Sequence, residues 1–218
     1  MDKEEYRLRT DEMKALIKEG RYPEAARIAD SIDWRRVKNT RMLCLVGDLY
    51  KKTGHFDKSR DVFLLVYEID QYNESVVYSL CELSIKRDDF LAAIEYMKGY
   101  ARLAPGSAGV YVLRYKLYEQ QGVSCGERAE LLEELKSVEF KPRWAYELVT
   151  LYNELGDEAG LISACDYIYD NITSKSDMKT HRFCVKALEL KEKHTALTAS
   201  QSEYLGAFRA AKAEEEAR

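Results

Sequence analysis

The sequence predicts an all-α fold of eleven or twelve helices, stacked in antiparallel pairs as an α-solenoid. Three observations predict it: a hydrophobic pattern that repeats every 34 residues without a gap, glycine at one fixed position in most repeats, and only three prolines in 218 residues. A fixed period of this length is typical of helical-repeat proteins, in which neighbouring units cover each other's apolar faces. The scarcity of proline permits long helices along almost the whole chain.

The period divides most of the chain into five repeats, at 6–39, 40–73, 74–107, 108–141 and 142–175. Position eleven of these repeats carries Leu16, Tyr50, Ser84, Tyr118 and Tyr152. Position fifteen carries Gly20, Gly54, Asp88, Gly122 and Gly156. Glycine readily takes the left-handed conformation that ends a helix, so position fifteen separates two helices in each repeat.

Apolar spacing predicts where these helices lie. In the second repeat Leu43, Val46 and Tyr50 share one face of a helix, and Phe63 and Val66 mark a second helix after Gly54. The first helices of the repeats are predicted at about 6–19, 40–53, 74–87, 108–121 and 142–155. The second helices are predicted at about 23–32, 57–69, 90–103, 126–138 and 158–171.

The fourth repeat departs from the pattern. Tyr115 occupies position eight, where the pattern expects a small side chain. A longer turn through residues 123–126 would shift the second helix, so that its inward face carries Ala129, Leu132, Leu135 and Val138. We interpret this repeat as a local irregularity; the alternative is a kink that exposes Tyr111 and Tyr115 to a ligand.

Beyond residue 175 the pattern fades, and two capping helices are predicted over about 176–217. Phe183, Val185, Leu188 and Leu190 indicate the first of them. The second would carry Tyr204, Leu205, Phe208 and Ala211 on one stripe, after an N-cap at Ser200 or Ser202. Such a pair would hide the last apolar face of the array. The alternatives are a helix that continues into a further segment or that docks onto a second copy of the chain.

The pattern resembles the tetratricopeptide repeat (TPR). The second repeat carries the resemblance best, with Leu43, Val46, Gly47, Tyr50, Gly54, Phe56, Ser59, Phe63 and Val66 at the positions that the family fills in this way. The third repeat adds Leu80, Cys81, Phe90, Ala93, Met97 and Pro105. The resemblance covers about residues 6–175 and implies a right-handed superhelix. We therefore expect residues 1–218 to form a single TPR-like domain.

The resemblance also implies a binding surface. In the family the first helix of each pair lines a concave groove, chiefly through positions two, five, nine and twelve. On this basis the expected partner-binding residues are Arg41, Asp48, Lys51, Tyr78, Glu82, Lys116, Arg143, Tyr146 and Asn153. The sequence therefore favours a scaffold or adaptor that holds a peptide or protein segment. Alternatives are a self-associating or regulatory segment of a larger protein, which could dimerise through the last helix, or a helical repeat that binds RNA.

Composition and motifs favour a non-enzymatic cytoplasmic protein that needs no cofactor. The net charge of −4 does not suit a nucleic-acid binder, and no apolar stretch is long enough to span a membrane. The N-terminal residues lack the apolar core of a signal peptide, so the five cysteines are expected to be reduced. His181 and Cys184 could face the same side of a helix, but two ligands make a poor zinc site. Cys81 and Cys165 occupy packing positions and are expected to be buried.

Overall fold

A computed structural model describes residues 2–173 and 175–216, the last two of these as backbone only. The described residues form twelve α-helices and one short 3₁₀ helix, and they contain no β-strand. None of the described helices is long and apolar enough to cross a lipid bilayer. The chain groups into two compact units, Met1–Leu117 and Tyr118–Arg218, and each is described by itself.

Unit 1 holds α1 (Lys3–Lys18), α2 (Tyr22–Ala29), the 3₁₀ helix (Trp34–Arg36), α3 (Thr40–Lys52), α4 (Phe56–Ile69), α5 (Glu74–Lys86), α6 (Phe90–Leu103) and most of α7 (Ala108–Gln120). Unit 2 holds α8 (Cys125–Val138), α9 (Pro142–Leu155), α10 (Glu158–Asp170), α11 (Met178–Lys191) and α12 (Ala199–Glu216). Consecutive helices pack against each other in pairs: α1 on α2, α3 on α4, α5 on α6 and α9 on α10. The predicted helices are thus present, most with ends within one or two residues of the expected positions.

The turn at position fifteen is repeated in all five repeats. Gly20, Gly54, Gly122 and Gly156 have φ between 68° and 79°, and Asp88, which replaces glycine in the third repeat, has φ of 58°. In each case the N–H of the following residue donates to the carbonyl of position eleven, five residues back in the chain. This hydrogen bond is typical of a helix that ends at a left-handed residue. The residue that recurs at position fifteen of the repeats is therefore the residue at which the first helix of each repeat ends.

Small residues at position eight set how closely paired helices approach. A Cβ atom added to Gly47 of α3 would lie 2.7 Å from the Phe63 ring of α4. The hydroxyl of Ser59 donates to the Gly47 carbonyl at 2.8 Å. In the next pair Cys81, fully buried as predicted, donates from its thiol to the Ala93 carbonyl at 3.2 Å. The core of unit 1 therefore runs through the pairs along side chains at the predicted packing positions.

The fourth repeat shows the predicted shift. The second helix begins at position seventeen in the other repeats, but α8 begins one position later because Ser124 serves as its N-cap and accepts from the Glu127 N–H. Ala129, Leu132 and Leu135 are buried as expected. The inward placement of Val138 was wrong: it lies in the last position of the helix and is 39% exposed.

The alternative that Tyr115 is open to a ligand was also wrong. The Tyr115 side chain is fully buried, and Tyr111 is half-buried. An aromatic ring that is packed in the protein interior is not accessible to a ligand. The fourth repeat is therefore a local irregularity in packing, which agrees with the interpretation from the sequence.

The N-caps of the first and last helices differ from expectation. The Asp2 carboxylate accepts from the Glu5 N–H at 2.8 Å, so α1 begins at Lys3 rather than near residue 6. The predicted cap of the last helix at Ser200 or Ser202 was wrong. Thr198 and Gln201 instead form a capping box, in which the Gln201 N–H donates to the Thr198 hydroxyl at 3.3 Å and the Thr198 N–H donates to the Gln201 side chain at 3.2 Å.

The two C-terminal helices predicted from the apolar residues are present as α11 and α12. Leu205 of the predicted stripe is buried, Tyr204 and Phe208 are half-buried, and Ala211 is exposed. The predicted end of the last helix, at 217, lies outside the described residues.

Candidate partner-binding surface

Six of the predicted binding residues lie in unit 1, on the helices that open the second, third and fourth repeats. We call the side of α3, α5 and α7 that they occupy the first-helix surface. These residues are Arg41, Asp48 and Lys51 of α3, Tyr78 and Glu82 of α5, and Lys116 of α7. Arg41 and Asp48 are exposed, and the other four are half-buried.

Three of the six side chains form one charge network. Glu82 pairs with Lys51 at 3.3 Å through one carboxylate oxygen and with Lys116 through the other. The Glu82 side chain is only 16% exposed and each lysine 29%, so solvent screens these pairs less than it would at an open surface. The Lys51 ammonium also lies 3.9 Å from the Asp48 carboxylate, so two lysines face two carboxylates and their charges balance.

The network ties together three helices that are distant in sequence. Lys51 and Glu82 are 31 residues apart, and Glu82 and Lys116 are 34 apart. Lys51 also donates to the Ser79 hydroxyl at 3.2 Å. These contacts hold long, mobile side chains in fixed positions, so less conformational entropy remains to be lost when a partner binds.

Tyr78 lies between the network and the second helices. The Lys116 ammonium stands 5.8 Å from the centre of the Tyr78 ring, and the Tyr100 ring meets it edge-on with 5.2 Å between centroids. The ring is thereby oriented by a cation and by a neighbouring aromatic ring. A fixed, half-buried tyrosine is a common anchor in protein interfaces.

A cleft of about 300 Å³ opens between α3 and α5 beside Tyr78. Its lining includes three predicted residues, Asp48, Lys51 and Tyr78. The other lining residues are Cys44, Phe63, Glu74, Ser75, Val76, Ser79 and Tyr100. Cys44 and Ser75 occupy groove positions of the repeat, whereas Phe63 and Tyr100 belong to second helices and reach the cleft only because the paired helices approach closely.

The three predicted residues of unit 2 lie on α9 and do not form a comparable cluster. Arg143 is exposed, with its guanidinium 5.0 Å from the centre of the Trp144 ring, and Asn153 is exposed near the end of the helix. Tyr146 packs on Phe183 of α11, with ring centroids 5.5 Å apart, and burial raises the pKa of its hydroxyl. Tyr146 is thus part of the contact between α9 and α11.

The histidines and cysteines make no metal cluster in the part of the chain that the structure describes. His181 shares a hydrogen bond of 2.8 Å with the Tyr204 hydroxyl. Cys184 is fully buried, and burial raises the pKa of its thiol to about 12. Cys165, buried as expected, likewise has a thiol pKa raised by burial to about 12. These thiols are protonated packing groups at neutral pH.

The sequence matches no protein-family model and no curated protein. Its fold does match solved structures. A tetratricopeptide repeat protein from Parabacteroides merdae matches with a TM-score of 0.63 and 15% identity, over 92% of this chain and 83% of that chain. A thermophilic TPR protein from Thermus thermophilus gives 0.59 and 15% identity, over 84% and 98% of the two chains.

A third match is PilF of Pseudomonas aeruginosa, with a TM-score of 0.57 and 11% identity over 92% of this chain and 87% of that chain. Identities this low establish a shared fold and carry no activity from one protein to another. The chain has the tetratricopeptide-repeat fold, an all-α solenoid of paired helices, as the sequence predicted.

Proposed function

We propose that the chain is a non-catalytic scaffold that holds a segment of a partner protein on the first-helix surface of unit 1. The observation that carries the proposal is the cleft between α3 and α5, where Tyr78 and Lys51 stand beside a small polar opening. The partner would place one side chain in this cleft and lay polar groups against Asp48 and the Lys51–Glu82–Lys116 network.

The chemistry of the surface suits a segment of mixed character. Asp48 is exposed and can accept hydrogen bonds, Lys51 and Lys116 supply the cations of the network, and the half-buried Tyr78 ring offers apolar area in the cleft. A partner segment would match these features if it carried one apolar side chain for the cleft, a hydrogen-bond donor for Asp48 and a carboxylate for the lysines. The half-buried setting strengthens such polar contacts relative to those on an open surface.

The experiment isolates a partner with the wild-type chain and then measures the affinity of the purified pair by calorimetry. Tyr78→Ala should weaken binding by about tenfold or more, as expected for an aromatic anchor. Tyr72→Ala is the matched control, because Tyr72 is 76% exposed in the turn before α5. Equal affinities for the two variants would reject the first-helix surface.

A second pair of variants tests the charge network. Lys51→Ala should weaken binding, whereas Lys98→Ala, on the exposed side of α6, should not. Tyr146→Ala belongs in a separate measurement, because removing its contact with Phe183 would also lower the stability of unit 2. Circular dichroism of each variant checks that a lost affinity is not a lost fold.

Self-association through α12 is the competing proposal. Tyr204 is engaged within the chain, since its hydroxyl meets His181 at 2.8 Å and its ring meets Tyr169 at 5.7 Å. Phe208, by contrast, lines an open groove beside α11. Light scattering after size exclusion decides between the two: a concentration-independent dimer that Phe208→Ala dissociates would favour the self-associating module.

A further inference from the structure

A second groove, of about 980 Å³, lies in unit 2 between α11 and α12. Its apolar lining consists of Val185 and Met178 from α11 and Phe208 and Ala211 from α12. Met178 is 62% exposed, although methionine usually lies inside a fold. The groove therefore offers apolar area to water, unlike the packed faces of the preceding pairs.

Cations stand on both sides of this apolar floor. Arg182 and Lys186 lie one turn apart on α11, and Arg209 and Lys212 lie three residues apart on α12. Among the described residues that line the groove, Glu189 is the one carboxylate. Arg209 and Glu189 pair with each other at 3.8 Å and offset one another, so the exposed Arg182 and Lys186 supply the positive charge on the α11 side of the groove.

The two sides of the groove differ in how freely their cations can turn to a ligand. Arg209 is oriented from within the chain, since its guanidinium meets Glu192 at 3.0 Å and Glu189 at 3.8 Å. Lys186 is exposed, with its ammonium 5.9 Å from the centre of the Tyr146 ring, and Arg182 is exposed beside it. Arg182 and Lys186 are therefore the cations best placed to meet an incoming anion.

The stacking of unit 2 indicates which kind of element fits. α11 packs against both α9 and α10, so the preceding pair has a helix laid across it. Within the described residues, no helix is laid in the same way on α11 and α12. Helices pack with their axes 8–10 Å apart, so a groove between two helices takes a third helix more readily than an extended strand.

We propose that the α11–α12 groove binds an amphipathic helix of a partner protein, whose apolar stripe lies on the floor and whose glutamates or aspartates along one edge face Arg182 and Lys186. Charge complementarity selects the partner, because acidic residues along one edge of an apolar stripe match the exposed cations along the α11 side of the apolar floor. The site lies on helices other than those of the first-helix surface and does not depend on that proposal.

The test uses synthetic labelled peptides of about five helical turns, with a leucine stripe flanked either by glutamates or by lysines. Fluorescence anisotropy with the full chain should show that the acidic peptide binds at least about tenfold more tightly than the basic one. The double variant Arg182→Glu/Lys186→Glu should reverse that preference. Lys175→Glu/Lys193→Glu makes the same change in net charge at exposed residues outside the groove and should leave the preference intact.

Several results would overturn the proposal. One is equal binding of the two peptides, and another is equal behaviour of the two double variants. A third is a dimer that Phe208→Ala dissociates and that the acidic peptide does not. This result would place a second copy of the chain in the groove. A single-stranded oligonucleotide that displaces the acidic peptide and binds more tightly would assign the cations to phosphates instead.

Discussion

Two glycines inside helices show how differently α3 and α12 are held. Gly47 of α3 leaves no room for even a methyl group, since an added Cβ would lie 2.7 Å from the Phe63 ring. Gly206 of α12 is exposed, and an added Cβ would have no neighbour within 4 Å. The first glycine is required by close packing of α3 on α4, and the second is not required by any contact of this kind.

What fastens α12 is a polar network, together with the buried side chain of Leu205. The Lys191 ammonium of α11 pairs with Asp166 of α10 at 2.5 Å and donates to Gln201 of α12 at 3.2 Å. Gln201 also donates to Asp166 at 2.6 Å and completes the capping box with Thr198. The Lys191 side chain is only 5% exposed, so this is a largely buried ammonium with two partners.

The difference teaches how the fold is maintained where the repeat pattern fades. In the second repeat, close packing sets the distance between helices, because any added volume collides with a buried ring. In the last pair, directional hydrogen bonds fix the position of the helix while its other side stays open. We expect α3 to be sensitive to volume and α12 to be sensitive to the loss of single polar groups.

The largest expected effect is that of Gly47→Arg. The side chain would have to displace Phe63 and leave a guanidinium among apolar groups, so the free energy of unfolding should fall by more than about 3 kcal/mol. For a chain of this size the loss corresponds to a drop in Tm of roughly 6–12 °C. Thermal unfolding followed by circular dichroism measures it, with Gly206→Arg as the same substitution at an open site. Equal Tm values for the two variants would contradict the packing argument.

Lys191→Met should have a smaller and more local effect. Methionine keeps most of the side-chain volume but leaves Asp166 and Gln201 without their cation. Because Asp166 is partly exposed and can be hydrated, the cost should be about 1–3 kcal/mol rather than that of a fully buried pair. Hydrogen exchange should show the amides of α12 exchanging about tenfold faster, and those of α3 unchanged.

Lys193→Met is the control for this measurement, because Lys193 is exposed just after α11. If α12 were protected equally in both variants, the polar network would not be what holds it. If α3 exchanged faster as well, the effect would be a general loss of stability and the contrast between the two regions would be lost.

The sequence predicted the features that recur and missed those that occur once. Gly47, the turn at Gly54 and the burial of Cys81 follow from periodic positions, so one sequence was enough to place them. The Lys191–Asp166–Gln201 network joins residues 25 and 35 positions apart, two of them beyond the recognisable repeats, and no local signal marks it. The N-cap of α12 is a different case, because the capping box of Thr198 and Gln201 is a local signal between residues three positions apart, and the prediction of Ser200 or Ser202 overlooked it.

The candidate site likewise contains features that the sequence could predict and features that it could not. The register selected Lys51, Glu82 and Lys116, and the structure brings the three together. That one carboxylate serves both lysines could not be predicted, because it depends on the distances between helices. The register also selected Tyr146, but its neighbour Phe183 lies in α11, beyond the recognisable repeats, so its role in packing was missed.

The alkylation rates of two buried thiols compare how often the two regions open. Cys81 of α5 and Cys184 of α11 are both fully buried, and burial raises the pKa of each thiol to about 12. A buried thiol reacts only when its site opens, so the alkylation rates of the two thiols compare how often each site opens. Cys184 contacts Tyr204 of α12, so we expect it to react about tenfold faster than Cys81, by mass spectrometry of the full chain with N-ethylmaleimide. Reaction of Cys81 first would contradict the ranking.

The smallest expected effect, and the only stabilising one, is that of Gly206→Ala. Alanine loses less backbone entropy than glycine when it enters a helix, and here its methyl group meets no neighbour, so the helix should gain about 0.5–1 kcal/mol. The same change at Gly47 should destabilise, because its methyl group would collide with Phe63. The two Gly→Ala variants therefore carry opposite signs in urea unfolding and in the exchange rates of their own helices. A loss of stability at Gly206 would mean that α12 has a packed face there, and that its position is set by volume, as that of α3 is.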